Sequence, residues 1–203
     1  MDEDRVLVTI SRGFYLGESA VTQQCYREVM EENPSRFRGA QLPVDSLSWD
    51  RCQEFITAIS QVSGARLRLP TEAEWEYACR AGTTGAYAVP PQDGSWSREV
   101  SATTTHPVKE LIPNRWGLYD MEGNVLEWCQ DTYAPYPREA LTDPCAQGGI
   151  FHVARGGAWS LPAQACRCAA RQHFESVAHL FFLGARLAID ASASTSLAPN
   201  PGP

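Results

Sequence analysis

The sequence predicts an α+β domain with little regular secondary structure and long loops. Three stretches before residue 82 carry apolar side chains at helical spacing, and short stretches typical of strands lie near both ends of the chain. Residues 83–105 and 133–149 are rich in turn-forming residues and separate these patterns as loops. A chain of 203 residues is long enough for one such domain, which we place at residues 5–190.

The first predicted elements are two short strands and a helix. Residues 5–10 alternate between polar and apolar side chains, and residues 13–17 form a second short apolar stretch. Thr22 is a residue type that caps helices, and the apolar spacing after it predicts a helix that runs to about Glu31. An Asn-Pro pair at residues 33–34 then ends the helical pattern.

Two further helices are predicted from their N-terminal signals. Ser48 is a suitable N-cap, and Asp50 follows in the first turn, where the helix dipole favours a negative charge. Thr71 and Glu74 form the capping-box pattern, in which each side chain bonds the backbone of the other residue. We expect this third helix to end near Arg80.

The end of the chain combines two strand patterns with a polar tail. Residues 151–159 and 183–189 are predicted strands that close the domain. Residues 191–203 consist mainly of Ser, Ala and Pro, which cannot build an apolar core. We therefore expect a flexible tail there.

Composition argues against two kinds of partner. The formal net charge of −7 at pH 7 is unfavourable for a nucleic-acid surface. No apolar run reaches the roughly 18 residues of a membrane helix, and no signal-peptide core is seen at the N-terminus. Seven cysteines without a Cys-x-x-Cys pair are typical of reduced thiols. We expect a cytoplasmic protein, with surface display as an open alternative.

Residues 117–129 combine large apolar side chains with polar ones. Asp120, Gly123, Asn124 and Glu127 lie within eight residues of one another. One interpretation is a tight Gly-Asn turn whose acids accept hydrogen bonds from backbone amides. The other is a cation site, because a buried carboxylate needs a partner and Ca2+ prefers oxygen ligands. The spacing alone leaves both interpretations open.

Four motifs resemble the formylglycine-generating-enzyme, or sulfatase-modifying factor, family. They are residues 68–78, 117–129, 154–159 and 184–188, and they occur in that family's order and at about its spacing. The resemblance covers the chain from about residue 8 to residue 189. It implies a C-type-lectin-like fold of the formylglycine-generating-enzyme type.

The resemblance also implies a structural metal site in the central motif. Family enzymes hold Ca2+ through side chains at the positions of Asp120 and Glu127. Backbone carbonyls at the positions of Gly123 and Val125 complete the set. All four positions match in type, so the resemblance predicts a structural Ca2+ that pins this turn.

The enzymes of this family also bind copper through two cysteines five residues apart. Cys168 matches the second cysteine, but Ala163 occupies the position of the first. Cys166 lies closer to Cys168 than the family spacing, and we interpret it as a core thiol. We therefore assign no catalytic residue, and a copper-dependent formylglycine-generating oxidase is the less favoured alternative.

The segment 160–183 departs from the family pattern in an ordered way. Scaffold residues such as Trp159 and Gly184 are kept, whereas many positions between them carry changed side chains. This combination is similar to the variable proteins of diversity-generating retroelements, in which a diversified C-terminal segment binds the ligand. The predicted ligand-binding residues are Ser160, Leu161, Pro162, Ala165, Cys168, Ala170, Gln172, His173, Phe174, Glu175, Leu180, Phe181 and Phe182.

The resemblance implies a protein partner of unknown identity. A further expectation, left open by the sequence, is that the chain is part of a longer polypeptide or of a complex. Phe174 and residues 181–182 are expected to share an exposed surface with His173 and Glu175. The alternative for residues 180–182 is that they simply pack in the core. A non-diversified interaction or regulatory domain of the same family is the alternative function.

Overall fold

The computed structural model describes residues 5–191. The helices are α1 (Gln23–Met30), α2 (Trp49–Ser63), α3 (Glu72–Arg80) and α4 (Pro91–Gly94), with a 3-10 helix at Ala163–Cys166. The strands are β1 (Val8–Thr9), β2 (Phe14–Leu16), β3 (Leu67–Arg68), β4 (Leu126–Thr132), β5 (Leu141–Thr142), β6 (Phe151–Arg155), β7 (Arg171–Glu175), β8 (Leu183–Gly184) and β9 (Ala188–Asp190). Short strands and long connections dominate, so the α+β prediction is confirmed.

The three predicted helix starts are confirmed by their caps. The Thr22 side chain accepts a hydrogen bond from the backbone of Cys25, and Ser48 accepts one from Arg51. At α3 the capping box is complete, because Glu74 also accepts from the backbone N–H of Thr71 at 2.8 Å. These bonds satisfy amides that have no partner within the helix, so each cap fixes where its helix begins.

The central sheet has four strands in the order β7-β6-β4-β8. β6 pairs antiparallel with both β4 and β7, whereas β8 pairs parallel with β4. A second sheet places β9 between β2 and β3, and the short strands β1 and β5 form a parallel pair. The two ends of the described chain therefore meet in the second sheet, where β2 lies beside β9.

Both C-terminal strand predictions were too long. β6 ends at Arg155 because Gly156 and Gly157 follow with φ of 100° and 72°, a backbone conformation that turns the chain. A Cβ at Gly157 would lie 2.4 Å from the Cys166 sulfur, so only glycine fits there. The stretch 183–189 splits into β8 and β9, with Arg186 between them turned into the interior.

The core is divided into two apolar clusters on either side of the central sheet. The larger one contains Trp128 and Phe55 and receives α1 and α2. The smaller one contains Trp75, Cys79 and Cys168 beneath α3. Strand β4 contributes to both clusters, since successive side chains of a strand point to opposite faces.

The predicted loop 83–105 is folded against the central motif and contains the short helix α4. The carbonyl of Trp96 accepts from the backbone N–H of Asn124 at 3.0 Å, and the Trp96 ring stacks on His106 with centroids 3.6 Å apart. Within residues 5–191, no helix has both the length and the apolar character needed to cross a membrane. The predicted tail at 191–203 lies outside the described residues apart from Ala191.

Candidate functional site

The Gly-Asn turn of the central motif is a structural element of the interior. Gly123 has φ of 143°, and a Cβ at this position would lie 2.6 Å from the backbone nitrogen of Trp96. The Asn124 side chain accepts from the backbone N–H of His106 at 3.1 Å and donates to its carbonyl at 2.9 Å. These contacts bind the turn to the loop in front of it.

Glu127 forms a buried ion pair with Arg186. The guanidinium donates from Nε and Nη2 to both carboxylate oxygens at 2.8–3.1 Å, and Trp75 Nε1 donates to Oε2 at 2.7 Å. The two charged side chains are 1% and 0% exposed. A buried carboxylate needs such a partner, and here an arginine of the chain supplies the positive charge.

Asp120 is the other carboxylate expected to bind Ca2+. Its Oδ2 accepts from the backbone N–H of Lys109 at 2.9 Å, whereas the buried Oδ1 has no hydrogen-bond partner within residues 5–191. Burial raises the pKa of Asp120 to about 6. Oδ1 is thus available to a cation, whereas both oxygens of Glu127 already accept hydrogen bonds from Arg186. The Ca2+ site at Asp120, Gly123, Val125 and Glu127 stays a prediction.

Arg155 and Arg171 form a second charged centre, which the sequence reasoning missed. Arg155 is fully buried and donates to the carboxylate of Glu76 and to three backbone carbonyls of residues 168–170. Arg171 donates to both oxygens of Glu72 at 2.7 and 2.8 Å. Arg155 lies in the motif 154–159 and Arg171 in the segment 160–183, but the sequence does not indicate which acids would meet them.

The surroundings of Cys168 differ from the two-cysteine arrangement of the family enzymes. Cys168 is fully buried, and its thiol donates to Glu122 Oε1 at 3.1 Å. Cys79 of α3 lies beside these two side chains, so that the three donor atoms are within 4.8 Å of one another. The sequence did not indicate Cys79 and Glu122 as site residues. The pattern placed Cys79 on the inner face of a helix and Glu122 among the acids of a loop.

The predicted ligand-binding residues fall into three groups by exposure. His173 and Glu175 are exposed, whereas Cys168 and Ala170 are buried and therefore do not lie on an exposed surface. The remaining side chains are partly buried: Ser160, Leu161, Pro162, Ala165, Gln172, Phe174, Leu180, Phe181 and Phe182.

The aromatic residues of this segment form one contiguous group. The rings of Phe181 and Phe182 lie 5.2 Å apart, and those of Phe174 and Phe182 lie 6.1 Å apart. Phe174 and Phe182 also pack against the larger core cluster. Phe181 instead lies beneath the exposed Arg36, whose guanidinium is 4.8 Å from the ring centroid. The core alternative therefore holds in part for Leu180 and Phe182, and Phe181 is the outer member.

His173 and Glu175 do not share the surface of Phe174, contrary to the sequence expectation. All three lie on β7, where neighbouring residues point to opposite faces of the sheet. The His173 ring stacks on Tyr133 with centroids 3.9 Å apart, whereas Phe174 packs edge-on against Trp128. The segment therefore presents two separate surfaces, one on each side of the sheet.

Comparisons with known proteins identify a family for this arrangement. The profile of the sulfatase-modifying factor enzyme 1-like domain matches residues 4–191. The formylglycine-generating enzyme of Streptomyces coelicolor is 35% identical over 179 residues, which cover 77% of this chain and 55% of that protein. The serine/threonine-protein kinase pkn1 of Chlamydia caviae is 37% identical over 139 residues, covering 65% of this chain and 21% of that protein. The chain thus spans only part of the length of these relatives.

Two solved structures share the fold. Treponema denticola variable protein 1 superposes with a TM-score of 0.84 and 27% identity, covering 87% of this chain and 84% of that chain. PvdO from Pseudomonas aeruginosa superposes with a TM-score of 0.77 and 24% identity, covering 90% and 82%. The predicted C-type-lectin-like fold of the formylglycine-generating-enzyme type is confirmed, and the chain belongs to the family of the sulfatase-modifying factor enzyme 1-like domain.

Proposed function

We propose that this domain binds a protein ligand through the segment 160–182 and that the segment is diversified by a retroelement. The observation that carries the proposal is the similarity to Treponema denticola variable protein 1, with a TM-score of 0.84 over 87% of this chain. Fold similarity alone does not define a function, so the proposal also depends on what the segment exposes.

The structure of the segment supports a binding role. Its loop 176–182 crosses from one edge of the central sheet to the other, and its backbone is fixed by the bond from Leu126 N–H to the Phe182 carbonyl at 2.8 Å. Phe181 lies between the exposed Arg36 and Trp159, whose ring centroid is 5.7 Å away. Aromatic and arginine side chains are the residues that most often dominate binding energy in protein interfaces.

A diversified binding segment requires a fixed backbone whose exposed side chains can vary. Scaffold side chains of the segment and its flanks are buried, among them Cys166, Leu183 and Arg186. Substitutions at the exposed positions would leave these contacts in place, because surface changes away from special features usually alter stability by about 0.5 kcal/mol or less. The segment could therefore vary without loss of the fold.

An enzyme is the second candidate, and the 35% identity to a formylglycine-generating enzyme favours it. Two observations weigh against it. Ala163 occupies the position expected for one of the two copper-binding cysteines. The thiol of Cys168 is fully buried and donates to Glu122, so this sulfur is not accessible to a substrate. We therefore propose that the domain is a binding module and not a catalyst.

Two matched display libraries test the proposal. The first randomises two exposed and three partly buried positions of the segment: His173, Glu175, Ala165, Gln172 and Phe181. The second randomises five buried positions in and next to the same segment: Cys166, Cys168, Ala170, Leu183 and Ala185. We expect most members of the first library to remain folded and to yield binders against a test protein such as lysozyme. Equal loss of folding in both libraries would contradict the proposal.

A further inference from the structure

Three buried side chains from distant parts of the chain converge beneath α3. Cys79 comes from the end of that helix, Glu122 from the turn before β4, and Cys168 from the connection between the 3-10 helix and β7. Their sulfur and oxygen donor atoms all lie within 4.8 Å of one another, and Cys168 Sγ is 3.1 Å from Glu122 Oε1. Two sulfurs and one carboxylate thus surround a single point in the interior.

The cluster is held in position by the backbone around it. Glu122 accepts from the amides of Ala88 at 2.7 Å and Val89 at 3.3 Å, and the amide of Cys168 donates to the carbonyl of Ala86 at 2.9 Å. Both cysteines are 0% exposed and Glu122 is 2% exposed. The donor atoms are therefore already positioned, so that binding of an ion would require little rearrangement.

The buried position of the cluster disfavours the negatively charged, deprotonated forms of its side chains. Burial raises the pKa of Cys79 well above its usual range, and the neighbouring Cys168 thiol raises it further. A cation at the centre of the cluster would reverse this preference, because metal-bound thiols lose their protons.

We propose that Cys79, Glu122 and Cys168 bind one Zn2+ ion. Zn2+ accepts both thiolate and carboxylate ligands, whereas Cu+ favours soft sulfur ligands and Ca2+ favours oxygen ligands alone. With Zn–S bonds of about 2.3 Å and Zn–O bonds of about 2.1 Å, the donors of a tetrahedral site lie roughly 3.6–3.8 Å apart. The observed donor atoms lie within 4.8 Å of one another, so binding would require them to approach by up to about 1 Å.

A groove lies near the cluster, but none of the three proposed ligands lines it. A groove of about 1220 Å3 lies between α3 and the N-terminal strands, and residues 83–86 and Ala169 form part of its wall. The amide of Cys168 donates to the carbonyl of Ala86, and Ala169 follows Cys168 in the chain, so an ion that enters from the groove has to displace this part of the wall. On binding, the two thiol protons leave to water and Zn2+ gains two thiolates and one carboxylate as ligands. A water molecule that enters with the ion would supply the fourth ligand of a tetrahedral site.

Metal titration of the purified chain tests this site, which is independent of the proposed binding function. After removal of metal, Zn2+ should bind with one ion per chain and raise the melting temperature, because it binds only the folded state. Co2+ should give the near-ultraviolet absorption of cobalt–thiolate bonds. Cys79→Ser and Cys168→Ser should each weaken Zn2+ binding by more than about 100-fold, beyond the effect usual for groups outside the ligand set.

Two further variants guard against effects of misfolding. Glu122→Gln keeps an oxygen for the amides of residues 88–89 but removes the negative charge, so it should fold and still weaken Zn2+ binding. Cys52→Ser changes an equally buried thiol in the other core cluster and should leave Zn2+ binding unchanged. Absence of stoichiometric Zn2+ binding, or binding that survives all three cluster variants, would overturn the proposal. Binding of Cu+ but not Zn2+ would also overturn it and would revive the oxidase alternative.

Discussion

Arg186 donates three hydrogen bonds to the carboxylate of Glu127, at 2.8, 2.9 and 3.1 Å, inside the domain. The same guanidinium donates to the carbonyls of Gly17 at 2.7 Å and Tyr119 at 2.6 Å. This one side chain therefore joins the last motif of the chain to the central motif and to the N-terminal region. Its removal would leave several buried acceptors without a partner.

The first prediction concerns this ion pair. Glu127→Gln should lower the free energy of unfolding by about 3–5 kcal/mol, because it leaves the buried Arg186 without a counter-charge. Urea denaturation of the variant measures the loss. Glu110→Gln, which changes an exposed acid, is the control and should have little effect. A loss below about 1 kcal/mol for Glu127→Gln would show that the pair is not an important stabilising interaction.

The second prediction separates Arg186 from Ca2+ as the partner of Glu127. If Arg186 supplies the positive charge, a calcium chelator should leave the melting temperature unchanged. Loss of Glu127 cannot decide this, since it destabilises the domain in either case. Asp120→Asn can, because its Oδ1 has no bonding partner in the described structure. A fall in melting temperature with chelator that Ca2+ reverses, and that Asp120→Asn abolishes, would establish the calcium site.

The third prediction distinguishes two adjacent phenylalanines. Phe181→Asn should cost about 1 kcal/mol, because its ring lies at the surface beneath Arg36. Phe182→Asn should cost about 2–4 kcal/mol, because its ring packs against the larger core cluster and against Phe174. Urea denaturation of the two single variants gives the comparison. Equal costs would place both rings in the same environment and contradict the assignment of Phe181 to the binding surface.

The fourth prediction concerns Asp131, which accepts from the backbone amides of Glu72 and Ala146. Burial raises its pKa from 3.8 to about 6 in the folded protein, and the nearby Glu72 contributes. Protonated Asp131 therefore contributes its full share to the stability of the folded state below about pH 4. This contribution is lost as the pH rises through 6. Asp131→Asn cannot titrate, so its stability relative to the wild type should increase by about 1–3 kcal/mol between pH 4 and pH 7.

Denaturation of both proteins at several pH values in that interval measures the difference. A control with Glu139→Gln, an exposed acid, should follow the wild type throughout. A constant difference between wild type and Asp131→Asn would mean that the carboxyl group titrates normally and that its burial has no energetic consequence.

The fifth prediction concerns catalysis. Incubation with copper, O2 and a cysteine-containing sulfatase peptide should give no formylglycine, because Ala163 stands where the family enzymes have a copper-binding cysteine. Mass spectrometry of the peptide is the measurement, with the Streptomyces coelicolor formylglycine-generating enzyme as positive control. Conversion by this chain that disappears in Cys168→Ser would show that it is an enzyme.

Local features of the fold were predictable from the sequence, whereas long-range partners were not. The caps at Thr22, Ser48 and Thr71 depend on residues only three positions away, and all three were predicted correctly. The partner of Glu127 lies 59 residues further along the chain. The parallel pairing of β4 with β8 brings the two segments together, and no local pattern encodes it.

In the candidate site, too, local features were predictable from the sequence and long-range contacts were not. The segment 160–183 was identifiable from its resemblance to variable proteins, but the direction of each side chain depends on where β7 lies. Once β7 is known to run from Arg171 to Glu175, strand alternation separates His173 from Phe174. The approach of Cys79 to Cys168 was likewise hidden, because the pattern around Cys79 indicates only the inner face of a helix.

The DNA that flanks the gene tests the central claim most directly. If the segment 160–182 is diversified, sequencing of the flanking DNA should reveal a reverse transcriptase gene and a near-copy of the coding segment for residues 159–188. The two copies should differ almost entirely at positions where the near-copy has adenine. Flanking DNA without a near-copy, or copies that differ evenly at all four bases, would contradict the account of this domain as a diversified ligand-binding protein.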